Sequence, residues 1–166
     1  LVNILYDPEK LTPPRRDLQA LPGYHALFPL EPGWRGRRGF KSRLRLALNE
    51  LAHVESLVDG MADELKARAP GFQLMCRALF MQMVGFLARC YSHSVVPARR
   101  ELVRIAEAIA FLENHYDKEI YVDKLAGIAH MSKRNFLRVF REAMGKSPMA
   151  YLLSLRVARA AELLRE

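Results

Sequence analysis

Cysteine is scarce in this chain. Cys76 and Cys90 are the two in 166 residues, without a CxxC pair or a cysteine–histidine cluster. That number and spacing exclude a disulfide framework and a cysteine-based metal site, and the two thiols read as reduced, as in a cytosolic protein. Long uncharged apolar runs are missing as well. The most apolar stretch, "FQLMCRALFMQMVGFLARCY", is interrupted by Gln73, Arg77, Gln82 and Arg89, whereas a membrane-spanning helix needs about 20 mostly apolar residues. A secretory leader ahead of Leu1 is not expected. A soluble, cytoplasmic protein with no membrane partner is expected.

The signatures of catalysis are equally absent. There is no P-loop, no GxGxxG and no nucleophile elbow. His25, His53, His93, His115 and His130 are scattered, and none pairs with a Cys, Ser or carboxylate at a catalytic or zinc spacing. Glu50 and His53 share a helical face, which reads as a surface pair. The expectation is a protein that is not an enzyme, with no catalytic residues, no metal and no cofactor.

Positive charge is what the chain has in excess. Its 26 Lys+Arg face 18 Asp+Glu, a net charge of +8 and a pI near 9.8. Such a balance favours an anionic partner such as nucleic acid, acidic lipid or an acidic protein. The excess sits in two places. Residues 131–166 hold eight basic side chains against three acids, and residues 15–45 hold eight against two.

Three regions follow from composition and periodicity. Residues 1–46 are rich in Pro and Gly ("DPEKLTPP", "LPG", "LEPGWRGRRG"), and "LVNILY", "YHALFPL" and "SRLRL" have strand-like content. This reads as a short β remnant at the N-terminus of a mainly α protein. Residues 47–96 read as a helical hairpin. Leu51, Val54, Val58, Met61 and Leu65 step by three and four along one stripe, Pro70-Gly71 breaks the pattern, and a wider apolar face runs from Phe72 through Met75, Leu79 and Met83 to Phe86. The stripe serves either an intramolecular core or a two-helix dimer seam. It covers only about two heptads, fewer than the three or four that would mark a coiled coil. Residues 97–166 continue with a helix carrying Leu102, Ile105, Ile109 and Leu112, a short helix with Leu125, Ile128 and Ala129 inward, and a tight break at "HMS".

The stretch "MSKRNFLRVFREAMGKSP" carries the functional signal. Ser132 is a helix N-cap, Gly145 a left-handed stop, and Ser147-Pro148 the cap and first residue of one more helix, whose apolar side is Leu152, Leu155, Leu163 and Leu164. At about 100° per residue, Val139, Phe140 and Ala143 fall on the side of Phe136, while Arg134, Arg138 and Arg141 fall opposite, with Leu137 beside them. A short helix, a tight turn and a second helix with outward cations make a helix-turn-helix, whose second helix enters the major groove of duplex DNA. The competing reading is a solvated charge face on a helical protein–protein interaction or dimerisation module without DNA binding.

The run "LAGIAHMSKRNFLRVFREAMGKSPMAYLLSLRVARAAELL" resembles the AraC/XylS family of transcription regulators. It carries Leu125-Ala126, Met131-Ser132, Phe136, Arg138, Phe140, Gly145, Ser147-Pro148, Tyr151-Leu152, Arg156, Ala160 and Leu163-Leu164. Upstream, "YHALFPLEPGWR" and "RLRLALNELAHVESLVDGMADEL" are more loosely similar to the segment that joins a sugar-sensing cupin to the DNA-binding domain in rhamnose-type regulators. The resemblance implies the end of a cupin-like region over 1–46, a dimerisation hairpin over 47–96 on Leu51, Val54, Val58, Met61 and Leu65, and the first helix-turn-helix plus linker helix over 97–166. It implies a sequence-specific transcription activator, a homodimer that answers a sugar effector and contacts RNA polymerase. Its DNA-binding residues would be Arg134, Leu137 and Arg138 at base edges, with Lys133, Asn135 and Arg141 nearer phosphates and Ser132 and Lys146 completing the set. Leu137 departs from the polar residue often found at that place. The opening Leu1 and the uncapped "ELLRE" suggest a fragment, with a second helix-turn-helix expected beyond Glu166.

Overall fold

The computed structural model describes residues 4, 17–18, 20–30, 44–93 and 97–164, apart from the side chains of Pro29 and of 97–99. These residues are mainly helical, and no strand occurs among them. In chain order they form α1 (Pro22–His25), a π turn (Ala26–Leu30), α2 (Leu48–Ala67), α3 (Phe72–Ser92), α4 (Pro97–Asn114), α5 (Val122–Ile128), α6 (Lys133–Met144) and α7 (Pro148–Leu163).

Helices α2 and α3 form the expected hairpin. Arg68 takes a left-handed φ of 49° and Gly71 one of 90°, so the chain reverses within four residues. The antiparallel register follows from two thiols. Cys76, near the start of α3, lies 3.7 Å from the Met61 carbonyl, and Cys90, near its end, lies 3.5 Å from Glu50 Oε1 at the start of α2. Partial burial and then the Glu50 carboxylate push the Cys90 thiol above its ordinary pKa. The other oxygen of Glu50 accepts from the Ala47 N–H at 2.7 Å and closes the first turn of α2. Leu57, Met61, Phe80, Met83 and Val84 are the buried centre of this hairpin.

The stripe on α2 is divided between two environments. Met61 is in the hairpin core, and Val54 and Val58 pack partly against it. Leu51 and Leu65, however, are 43% and 55% exposed, and Leu48 just ahead of them is 88% exposed. The middle of the stripe is intramolecular and its two ends face solvent.

A second and larger core lies under α4. Leu102, Ile105, Ile109 and Leu112 are all essentially inaccessible, as the spacing predicts, and meet Leu125, Ala126 and Ala129 of α5 and its end, Phe136, Val139 and Phe140 of α6, and Leu152 of α7. The inward side expected for α7 is only half realised. Leu152 is buried, but Leu163 and Leu164 are 70% and 88% exposed.

The strand expected at "YHALFPL" is a helix. Tyr24–Leu30 lie in α1 and the π turn, and Leu44–Leu46 have no regular structure, so the β remnant is not found where the chain is described. "LVNILY" lies outside the described residues except for Ile4. The reason is burial on every side. Tyr24 and Phe28 pack on the hairpin core, while Ala26 and Leu30, one turn apart, enter the core under α4. A short segment that is apolar all round shows no helical period. Pro22 presets the first turn, and Pro29, which cannot donate to the preceding turn, falls in the widened π stretch.

Gly23 sets how closely this wedge approaches. A Cβ there would overlap the Ala88 carbonyl oxygen and crowd Ser92 Oγ. Backbone cannot yield as a side-chain tip can. Gly23→Ala is therefore expected to cost about 1–3 kcal/mol by overpacking, measured as a lower midpoint in urea unfolding; an unchanged midpoint would contradict the packing described.

Candidate nucleic-acid interface

Two helices and a tight turn build the site. Helix α5 closes through His130 N–H to the Gly127 carbonyl and Met131 N–H to the Ala126 carbonyl, both at 3.0 Å. His130 stands at a left-handed φ of 50°. Ser132 then caps α6, its hydroxyl accepting from the Asn135 N–H at 3.4 Å, and Gly145 ends the helix at φ 72°. Ser147 repeats the device for α7, accepting from the Ala150 N–H at 3.2 Å. Each cap satisfies an amide that the helix cannot.

The inner and outer faces of α6 are sharply different. Phe136, Val139 and Phe140 are fully buried, with the two rings 5.5 Å apart and Phe140 edge-on to Tyr151. Lys133, Arg134, Leu137, Arg138 and Arg141 are exposed, and Asn135 is half-buried. Leu137, Arg138, Arg141, Glu142 and Ser147 enclose a shallow depression of about 590 Å³ on that outer side. The expected readers are thus brought together on one surface.

Their partners differ. Arg138 is held at both ends of its guanidinium, by Glu142 at 2.7 Å and Asn135 Oδ1 at 2.8 Å. Glu142 at i+4 is a partner that helical spacing makes available. Lys133 pairs with Asp123 of α5 at 2.9 Å. Among the described residues, Arg134 and Arg141 have no carboxylate partner. Lys146 is set apart on the flank of α7, donating to Ser154 Oγ at 2.8 Å with its ammonium over the Tyr151 ring. No cluster of His, Cys, Asp or Glu capable of holding a metal occurs among the described residues.

A buried polar junction beneath the site escaped the sequence reading. Glu113, at the end of α4, accepts from the Tyr151 hydroxyl of α7 at 2.5 Å, and its other oxygen lies 3.7 Å from His25 Nε2 of α1. Arg156 extends the attachment of α7, donating to the Tyr116 and Lys118 carbonyls at 2.7 and 2.8 Å. The residues concerned are about forty positions apart or more, so no local pattern announces them.

The arrangement is that of a helix-turn-helix protein. Residues 112–153 match the family of bacterial regulatory helix-turn-helix proteins, AraC family. Over 165 residues the chain is 24% identical to the HTH-type transcriptional activator RhaR of Mannheimia succiniciproducens, covering 99% of this chain and 54% of the relative. It is 29% identical to the HTH-type transcriptional activator RhaS of Enterobacter sp. strain 638, covering 99% of this chain and 55% of the relative. A shorter match, 32% identical over 78 residues, is to the HTH-type transcriptional regulator GbdR of Pseudomonas aeruginosa, covering 45% of this chain and 21% of the relative. The chain spans about half the length of the RhaR and RhaS relatives it matches. No solved structure is a significant match. No described helix is long and apolar enough to cross a membrane.

Tyr151 supplies a test of how α7 is held. Burial first, then the hydrogen bond and charge of Glu113, push its phenol well above the usual 10.0. A raised folded pKa means that the folded chain keeps a proton the unfolded chain releases. Its contribution to stability is complete below about pH 10 and declines as pH rises above that. Tyr151→Phe should lose about 1–3 kcal/mol at neutral pH by leaving Glu113 short of a donor, and should show a shallower alkaline loss than the parent. Parallel stability–pH curves above pH 10 would remove the Glu113–Tyr151 bond from the account.

Proposed function

We propose that this chain is part of a sequence-specific, DNA-binding transcription activator, with α6 as the reading helix in the major groove of duplex DNA. The observation that carries the reading is the outward set Arg134, Leu137, Arg138 and Arg141 on a helix whose opposite face is fully buried. A guanidinium can donate two parallel bonds to guanine O6 and N7, which discriminates by about 1–3 kcal/mol. The exposed Arg138–Glu142 pair is worth only about 0–1 kcal/mol, so exchanging it for a base edge is favourable. Leu137 offers an apolar contact of the kind a thymine methyl accepts. Ser132, Lys133, Asn135 and Lys146 surround the readers and suit phosphate contacts, which position the helix without reading sequence.

The remaining parts of the proposal follow the resemblance. Residues 1–46 belong to the end of a sugar-sensing region, 47–96 to a dimerisation hairpin and 97–166 to the reader with its linker helix. A sugar effector, a homodimer, contact with RNA polymerase and a cytoplasmic setting complete it, without enzymatic activity. The partly exposed stripe supports self-association at its ends, through Leu51 and Leu65.

Arg138→Ala should relax base preference at one position by about 1–3 kcal/mol, whereas Lys133→Ala should weaken every duplex alike and flatten the salt slope by about 0.9. Gel shifts in which both variants match the parent on every duplex would refute the assignment. Sedimentation at equal concentration checks the hairpin: Leu51→Lys is expected to shift the chain toward monomer. If the chain self-associates but ignores duplex DNA at low salt, the interaction-module reading takes its place.

A further inference from the structure

A second basic concavity lies away from the outer face of α6, where the end of α3, the first turns of α4 and the turn before α6 converge. It encloses about 320 Å³ and is lined by Ser92, His93, Arg100, Arg104, Glu107 and His130 among others. Arg100 and Arg104 are exposed and one helical turn apart, so their guanidinium groups share a wall. Neither has a carboxylate partner among the described residues, although Glu107 is in the same cleft. His93 is fixed in orientation: its Nδ1 lies 2.7 Å from the Arg89 carbonyl, which can only accept, so Nδ1 carries the proton and Nε2 is left over. His130 occupies a left-handed position at φ 50°, where glycine would suit the backbone better.

We infer that this cleft binds a phosphate group. Two guanidinium forks offer paired donors matched to phosphate oxygens, and the two imidazoles flank them. Ser92 does not contribute a donor, since its hydroxyl is given to the Ala88 carbonyl at 3.1 Å. Glu107 opposes the ligand, which makes it a lever in the opposite direction. In its DNA form the inference rests on the reading of α6 above. His130 is two residues ahead of the Ser132 cap, at most about 7 Å along the chain, so the backbone beside a groove that receives α6 passes close to the cleft. A free phosphate ester presents the same oxygens.

Two titrations of the 166-residue chain decide between these sources, each run on the parent, on Arg100→Ala/Arg104→Ala together, and on Glu107→Gln. The first measures duplex affinity across salt; the second adds inorganic phosphate and follows the His93 and His130 imidazole resonances by NMR. For a DNA backbone phosphate, the double variant loses about tenfold in affinity on every duplex, and its salt slope falls by about 0.9 per lost phosphate. Glu107→Gln then binds every duplex more tightly, and Arg138→Ala still alters base preference. For a free phosphate, both resonances move in the parent, move at lower phosphate in Glu107→Gln and stay in place in the double variant, with duplex binding unchanged. The inference is overturned if both variants keep the parent's duplex affinity and slope while phosphate leaves the resonances unmoved. A parent that ignores duplex DNA altogether removes the reading of α6 and the backbone form with it, and the NMR titration then decides the cleft by itself.

Discussion

One nearly buried carboxylate determines how the helices around α6 are held. A charged group taken from water without partners costs several kcal/mol or more, so Glu113, only 11% exposed, must be met by donors from elsewhere in the fold. It takes the Tyr151 hydroxyl from α7 and sits beside His25 of α1. These are the one polar residue in the core among the described residues and the residue whose ring meets Phe140 edge-on. Helix α4 can therefore meet α1 and α7 in few arrangements without stranding that charge. Apolar contacts alone are non-directional and would tolerate a rotation of α7 about its axis. The hydrogen bonds from Tyr151 and Arg156 do not.

The consequence for α6 is a division of labour by face. Phe136, Val139 and Phe140 give it a fixed seat, and truncating either ring there would cost about 3–5 kcal/mol. The outer residues contribute little to stability, because exposed ion pairs are worth at most about 1 kcal/mol. The Asn135–Arg138–Glu142 set does something other than stabilise: it orders a long exposed side chain, so less of its freedom is left to lose in any later contact. Arg134 and Arg141 are exposed and have no such clamp among the described residues.

Legibility in the sequence tracked the range of the interaction. Ser132, Gly145 and Ser147-Pro148 act within one turn of themselves, and the caps and stops stand where those residues predict. The inward set on α4 and α6 follows from a period that one apolar face imposes. The failures have a common physical origin in long-range packing. Tyr24–Leu30 looked extended because two cores cover it on both sides and erase its period. Leu163 and Leu164 continue an apolar pattern that no described element covers. The stripe on α2 is regular, yet only packing against α3 decides that Met61 is inside and Leu51 outside. The junction of His25, Glu113 and Tyr151 joins residues distant in sequence and gives no local signal at all.

The same separation says where substitutions can fall without loss of the architecture. Substitutions at exposed positions without special contacts usually change stability by less than about 0.5 kcal/mol, so Arg134, Leu137 and Arg141 can vary with little effect on the seat of α6. Phe136, Phe140 and Leu152 of the buried face lie within 112–153, the segment that the AraC-type family model matches. A buried ring exchanged for a smaller side chain leaves a cavity whose cost approaches the net stability of a small domain. The scaffold is therefore constrained by packing and its outer face only by what it touches. Leu137 shows the point: an apolar side chain stands at 36% exposure on the outer face without disturbing the helix that presents it, because the fold makes no demand on that side.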